Sequence, residues 1–291
     1  MKEKQSTDVD ELLADAEVAE ILANADDFDA DCATESITER WVASSTIVGT
    51  RQYQQDSVII PNDAMQKKDK NICVLSDGMG GMQGGERASA LCVTTLFNDF
   101  YEQKITKNYP EFFKSEINKI DEAVSNFTDD DGNSIESGAT LVSVIIDKNN
   151  MYWASVGDSS IYIIRDDEIV KVTEDHNYYQ DLIKKVSSGT ITQEEADNDP
   201  SKEALTSFIG IGGIELVDIN EKPFELFDGD IIVMSSDGLY RSLNEDAIKL
   251  IVNEFSTNIP LAANMLTTSA MENRTGGQDN TSVIVVKYNN N

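Results

Sequence analysis

The stretch that most restricts what this chain can become runs Val74-Leu75-Ser76-Asp77-Gly78-Met79-Gly80-Gly81-Met82-Gln83-Gly84-Gly85-Glu86-Arg87-Ala88-Ser89. An apolar, β-prone run from Ile72 to Leu75 ends in an acid, passes through five glycines and opens a helix. The pattern reads as strand, ligand turn and helix start, with Asp77 at the end of a buried strand, where site groups collect. Gly78, Gly80 and Gly81 are expected to take positive φ and to bring the backbone close to a bound ion or phosphate. Beyond Glu86, Leu91, Val93, Phe97 and Phe100 recur at roughly helical spacing. One carboxylate at the mouth of so tight a turn suits a hard cation held by oxygen ligands. The same residues equally suit a plain glycine-rich turn carrying a surface aspartate.

Four further acidic turns decide between these readings. Asp56 closes Arg51-Gln52-Tyr53-Gln54-Gln55-Asp56, and Asp158 follows the run Met151 to Gly157. Asp237 follows Ile231 to Ser236 and precedes Gly238, while Asp279 lies in Gly276-Gly277-Gln278-Asp279-Asn280 just before the strand-like Thr281 to Val286. Asp and Gly are common in turns for backbone reasons alone. Five acids, each at the end of an apolar strand, are better explained by carboxylates converging on metal.

At these residues the chain resembles the metal-dependent type 2C serine/threonine protein phosphatases in their bacterial form, from about Ile37 to Tyr288. The matching motifs, in order, are Arg51 to Asp56, Asp77-Gly78-Met79-Gly80-Gly81, Ser137-Gly138-Ala139-Thr140, Val156-Gly157-Asp158-Ser159, Thr173-Glu174-Asp175-His176, Ser235-Ser236-Asp237-Gly238-Leu239 and Gly276-Gly277-Gln278-Asp279-Asn280. Any one is a weak signal, whereas seven in order are specific. The resemblance implies that Asp77 bridges two metals, that the carbonyl of Gly78 binds one of them, and that Asp237 and Asp279 complete the other. It makes Asp56 an acceptor of hydrogen bonds from metal-bound water, Asp158 the ligand of a third, weaker metal, and Arg51 the phosphate-binding group. A guanidinium fork suits a phosphoryl group, although a structural ion pair would also account for Arg51. With no Cys or His among the candidates, the donor set points to Mn²⁺ or Mg²⁺, two per site with a possible third, and not to zinc. Such a centre supplies an activated water and clamps phosphoryl oxygens, which is what phosphomonoester hydrolysis needs.

Three departures from the family pattern stand out. Met79 occupies the place where some relatives carry a proton-donating His. Gln54-Gln55 stands where many have Asn-Glu. Ser160 and Ser207 take positions often held by Arg in bacterial relatives, so basic contacts that might steer a phosphoprotein are thinner. The single histidine, His176, sits at a strand-to-helix junction, where capping and hydrogen bonding explain it better than general-acid work.

The expected activity is therefore hydrolysis of phosphoserine and phosphothreonine in proteins phosphorylated by a serine/threonine kinase. A catalytically silent phosphoprotein-binding member, or a phosphatase dedicated to one partner-switching regulator, are the competing readings. A formal charge of −30 argues against nucleic acid or an anionic membrane as partner. No run approaches the roughly 20 apolar residues of a membrane span, and the start leads into acid, not into an apolar signal core. The expectation is a cytoplasmic monomer, in keeping with reduced, buried Cys73 and Cys92.

Residues 1–36 form an acidic N-terminal tail, with ten acids and no Lys or Arg between Thr7 and Asp31. The catalytic domain is expected over 37–291, with a mobile flap at about 177–213. Helices are expected from Glu86 to Tyr101, Pro110 to Phe127, Asp175 to Ser187, Asn244 to Phe255 and Ile259 to Met271, and strands from Trp41 to Val48, Ser57 to Ile60, Thr140 to Ile146, Met151 to Val156, Ile161 to Ile164, Glu168 to Val172, Ile214 to Ile219 and Ile231 to Ser235. Strands grouped together and helices grouped in pairs suggest an α+β fold of two packed antiparallel sheets covered by helices on both faces. The family resemblance implies the same four-layer sandwich, with a flap subdomain and metals at one end between the sheets.

Overall fold

Period-two alternation along the strands sets the layering. The computed structural model describes residues 41–66, 68–80, 84–102, 108–129 and 131–289; the acidic tail at 1–36, Cys32 and Gly81 fall outside them. In β3 (Lys70–Gly80), Ile72 and Val74 face one way, into a core with Phe113, Ile117 and Ile120, while Cys73 and Leu75 face the other, into a core with Ile161, Met234 and Ile284. A strand buried on both faces needs cover on both, and the chain supplies a helix pair on one side and a second sheet on the other.

The first sheet has seven antiparallel strands. Its path runs β10 (Phe224–Glu225), β6 (Asn150–Val156), β5 (Leu141–Asp147), β3 and β2 (Asp56–Ile59), with β4 (Ser137–Ala139) on the end of β3 and β9 (Asp218–Ile219) on β6. The second sheet runs β1 (Val42–Ile47), β12 (Thr281–Lys287), β11 (Ile231–Ser235), β7 (Ser160–Arg165) and β8 (Glu168–Lys171). Helices α1 (Gly84–Glu102) and α2 (Tyr109–Ser125) cover the outer face of the first sheet, α2 through a stripe in which Phe113, Ile117 and Val124 are fully buried. Each such side chain contributes about 1.5–3 kcal/mol of hydrophobic stabilisation. Across the second sheet, α7 (Ile259–Glu272) lies on β1 and β12, with α6 (Glu245–Glu254) packed beside it. The four-layer α+β sandwich expected from the sequence is the observed architecture.

Caps and turns follow local chemistry. Asn108, Asn244 and Asn258 cap α2, α6 and α7 by accepting from backbone N–H groups, and a Thr192–Glu195 capping box starts the short α4 (Gln193–Asp197). Asp166 and Asp167, both at positive φ, make the tight β7–β8 turn. Between β5 and β6 the turn falls on Lys148 and Asn149, one residue earlier than the Asn149-Asn150 pair suggests, because Asp147 pairs with Asn150.

Three boundaries differ from expectation, each for a tertiary reason. β3 runs on through Asp77 to Gly80 because Gly78, Met79 and Gly80 pair with Ala139, Gly138 and Ser137, so Asp77 lies within the strand and not at its end. Gly80 does have φ +131°, but Gly78 does not need positive φ; a Cβ there would lie 2.2 Å from the Gly85 carbonyl oxygen and 2.6 Å from that of Gln55. α3 (Tyr178–Ser187) begins later than Asp175, since the His176 N–H donates to Gly157 and its carbonyl accepts from Thr206. The strand expected over Ile214 to Ile219 shrinks to β9, because the carboxylate of Asp121 on α2 accepts the backbone N–H groups of Gly210, Gly212, Gly213 and Ile214 and curls that segment.

Gly78→Ala is expected to cost about 3 kcal/mol or more in urea unfolding, because the methyl meets backbone on two sides. Gly189, at φ +72° with nothing within 4 Å of its Cβ position, should cost only about 1 kcal/mol on the same change. Equal midpoints for the two variants would refute the packing argument.

Candidate active site

The register of the sheets brings the acids together. Asp56 begins β2 directly opposite Asp77 in β3. In the facing sheet β11 and β12 are antiparallel neighbours, with Ser235 opposite Val283, so the residues after β11 and before β12 meet at one end. There Ser236 sits at the N-cap of a four-residue helix, α5 (Asp237–Tyr240), and Asp279 lies two residues before β12. The Ser236 hydroxyl donates to Asp56 Oδ2 at 2.8 Å and accepts from the Ser282 N–H at 3.0 Å, which fastens the end of one sheet to the end of the other.

Asp158 arrives from β6 through Gly157, whose φ of +94° and tight approach to Thr140 leave no room for a side chain. Thr140 in turn accepts the Asp77 N–H at its hydroxyl, at 3.1 Å. Buried Asn280 shapes the Arg51 turn: its side chain donates to the carbonyls of Val48 and Tyr53 and accepts from the Gln55 N–H.

Asp77, Asp158, Asp237 and Asp279 line one cavity of about 440 Å³, together with Gly78, Arg51, Arg241 and Glu203. Of two roomier clefts, the one of about 800 Å³ has a single acid in its lining and the one of about 630 Å³ is lined by the exposed acids Asp167, Glu168, Glu245 and Asp246 beside Lys249, so buried carboxylates acting on one another, and not size, locate the site. Desolvation pushes Asp77 well above the usual carboxylate range, and the charges of Asp56, Asp237, Asp158 and Asp279 add to it. Burial lifts Asp56 to about 6 against its bond from Ser236, and lifts Asp237 to about 7 against the pull of Arg241. Burial and the charge of Asp175 likewise raise Asp158.

Among the described residues no three acidic, imidazole or thiol side chains are drawn around one point as a finished cation cage. Two carboxylates are instead held by guanidinium groups: Arg51 Nη2 lies 2.5 Å from Asp279 Oδ2 and Arg241 Nη2 lies 3.0 Å from Asp237 Oδ2. The donor set nonetheless fits hard divalent cations. Every candidate ligand atom is an oxygen, the negative charge is concentrated where water screens it poorly, and Asp56 Oδ1 and Asp237 Oδ1 are buried with no hydrogen-bond partner.

The structure thus brings together Asp77, Gly78, Asp158, Asp237, Asp279 and Arg51 around the cavity and sets Asp56 directly behind Asp77. His176 stands apart as a brace: its Nδ1 accepts the Gly157 N–H at 3.2 Å, and burial lowers its basicity. Ser207 is buried with its hydroxyl on the Leu216 carbonyl, and Ser160 is buried within β7, so neither side chain lines the cavity. Gln54 and Gln55 bond to the carbonyls of Ile47 and Gly80, which makes them supports of the turn. Sequence reasoning placed Ser236 and Asn280 in motifs without giving them a role, which they take through hydrogen bonds across the chain, and missed Arg241, whose only local signal is its spacing of four from Asp237 on a helical turn.

Comparison with known proteins agrees with this architecture. The family model for protein phosphatase 2C matches residues 42–182. The serine/threonine phosphatase stp of Listeria welshimeri is 29% identical over 226 residues, covering 77% of this chain and 86% of that protein. The structure of the S. agalactiae serine/threonine phosphatase superposes with a TM-score of 0.72 at 29% identity, over 84% of this chain and 98% of that one. The catalytic domain of the serine/threonine protein phosphatase PstP, solved with two manganese ions, shares the fold at a TM-score of 0.67 and 23% identity, over 84% of this chain and 96% of that one. A family match that starts in β1 and runs into α3, joined to relatives and a fold that continue to the far end of the sandwich, makes the chain similar to the protein phosphatase 2C family along most of the described residues.

Proposed function

We propose that this chain removes phosphate from phosphoserine and phosphothreonine in proteins, at the aspartate-lined cavity, with a pair of divalent cations. The observation that carries this reading is the convergence of Asp77, Asp158, Asp237 and Asp279 beside Arg51 in one cavity. Asp77, the Gly78 carbonyl, Asp237 and Asp279 would hold the two ions, and Asp158 a third. When bound, Mn²⁺ or Mg²⁺ there supplies a water acidic enough to act as nucleophile at neutral pH and offsets charge on the phosphoryl oxygens.

The remaining roles belong to the chain. Arg51, largely exposed at the cavity edge, exchanges Asp279 for the phosphoryl group and orients it through its two-pronged guanidinium. Asp56 keeps one oxygen on Ser236 and presents the other, unpartnered, beside Asp77, where it accepts a proton-bearing group and orients it. Glu203 and Leu205, from the segment between α4 and β9, also line the cavity and restrict what can approach. The substrates proposed are products of a serine/threonine kinase.

Asp77→Asn, Asp237→Asn and Asp279→Asn should each lower turnover of a phosphothreonine peptide by about 100-fold or more while circular dichroism stays native. Near-normal turnover in any one removes that residue from the assignment. For Arg51→Ala the expected result is a Michaelis constant raised about tenfold with a smaller fall in kcat, because the group binds phosphate in ground and transition states alike; a loss confined to kcat contradicts it.

The clustered charges also predict a pH dependence for the chelator-treated protein. Asp56, Asp77 and Asp237 have folded-state values above their unfolded ones, so the stability they lend is complete below about pH 4 and drains away as pH rises through 6 to 7. Between pH 5 and 7.5 the melting temperature without metal should fall by several degrees. Mn²⁺ or Asp77→Asn should shrink the fall, and a flat profile in chelator would show that the carboxylates do not repel as described.

A further inference from the structure

Arg241 makes two ion pairs, and they reach into different parts of the molecule. Its Nη2 lies 3.0 Å from Asp237 Oδ2 in the site, and its Nη1 lies 3.1 Å from Oε2 of Glu203, in the segment that walls the cavity. Glu203 is not on a loose loop. The residues on either side of it, Lys202 and Ala204, accept at their carbonyls the N–H groups of Tyr179 and Tyr178, both at 2.9 Å, and Leu205 bridges Asn177. The turn carrying Glu203 is therefore docked on the first turn of α3, and the guanidinium ties that docked turn to Asp237.

We propose that Arg241 is a positioning residue that couples cation binding at Asp237 to the placement of the Glu203 turn, and so to recognition of protein substrates. The inference rests on the metal reading given above. A cation approaching Asp237 meets Arg241 both as a competitor for the carboxylate and as a like charge, so the guanidinium weakens cation binding. Once a cation takes Asp237, Arg241 is left with Glu203 alone and can swing with that turn toward a bound peptide. An aryl phosphate, with nothing beyond its ring to touch the turn, is far less sensitive to where the turn lies.

The test combines Mn²⁺ titration by calorimetry, hydrogen exchange at the Tyr178 and Tyr179 amides in chelator, and kcat and KM on a phosphothreonine peptide and on an aryl phosphate, for the unsubstituted chain, Arg241→Ala and Glu203→Gln. Both side chains are partly exposed, with 41% and 60% relative accessibility, so both variants are expected to fold. Arg241→Ala should bind Mn²⁺ up to about fivefold more tightly, speed exchange at the two tyrosine amides, and raise KM for the peptide about fivefold more than for the aryl phosphate. Glu203→Gln should reproduce the faster exchange and the peptide-selective KM without tighter Mn²⁺ binding. Unchanged Mn²⁺ affinity in Arg241→Ala, unchanged exchange in Glu203→Gln, or equal KM changes on both substrates overturns the coupling. An unsubstituted chain that binds no Mn²⁺ at all overturns the metal reading and the coupling with it, which sets that failure apart from the others.

Discussion

Five carboxylates share one end of this fold, where burial penalises the charges of Asp56, Asp77, Asp158 and Asp237, and much of the local structure is a response to that repulsion. At an effective dielectric constant near 20, two like charges 5 Å apart repel by about 3 kcal/mol. No single ion pair at a half-exposed position offsets a cluster of that kind. The chain supplies countercharge through Arg51 on Asp279 and Arg241 on Asp237, and leaves Asp77 well above the ordinary carboxylate range. A site arranged in this way is poor in cation and rich in oxygen, which is the electrostatic condition for divalent metal binding.

Holding such a cluster together requires rigid fastening from outside it. The Ser282–Ser236–Asp56 chain of hydrogen bonds spans the two sheets at the very end where the charges would push them apart. Asn280 secures the Arg51 turn with three bonds, and Gln278 secures the next layer out through the Gly238 carbonyl and the Thr281 hydroxyl. Small residues do the complementary work. Gly78 against Gly85, and Gly238 against Asn280, permit backbone contacts that any side chain would prevent. The segment between α3 and β9 is fastened at its far end by Asp121, a buried carboxylate that accepts four backbone N–H groups, and in its middle, on either side of Glu203, by the Tyr178 and Tyr179 amides. Its middle reaches the cavity through Glu203.

The site residues were legible because turns after strands announce themselves: an acid beside glycines, following an apolar run, is a local pattern. Asp77, Asp158 and Asp237 were visible in this way, and Asp279 as an acid beside glycines just before a strand; the four do converge. The strand and helix order was legible for the same reason, since periodicity is local. What misled was also local. The glycines after Asp77 suggested that the strand stops there, yet Ser137 to Ala139, about 60 residues later, extend it to Gly80. The apolar run from Ile214 suggested a full strand, yet Asp121 takes the N–H of Ile214 together with those of the three glycines before it.

The sequence by itself determined the elements, the layering and the residue types of the site, because each depends on side-chain periodicity and on the chemistry of a short stretch. Only the tertiary structure decided which partners those residues take. Arg241 reads along the chain as one more exposed cation, and becomes the link between Asp237 and Glu203 only when α5 is set against a turn nearly 40 residues earlier. Ser236 and Asn280 stand in the motifs without a role until two sheets and a turn close around them. Ion pairs and hydrogen bonds depend on distance in space, which the order of residues alone does not contain.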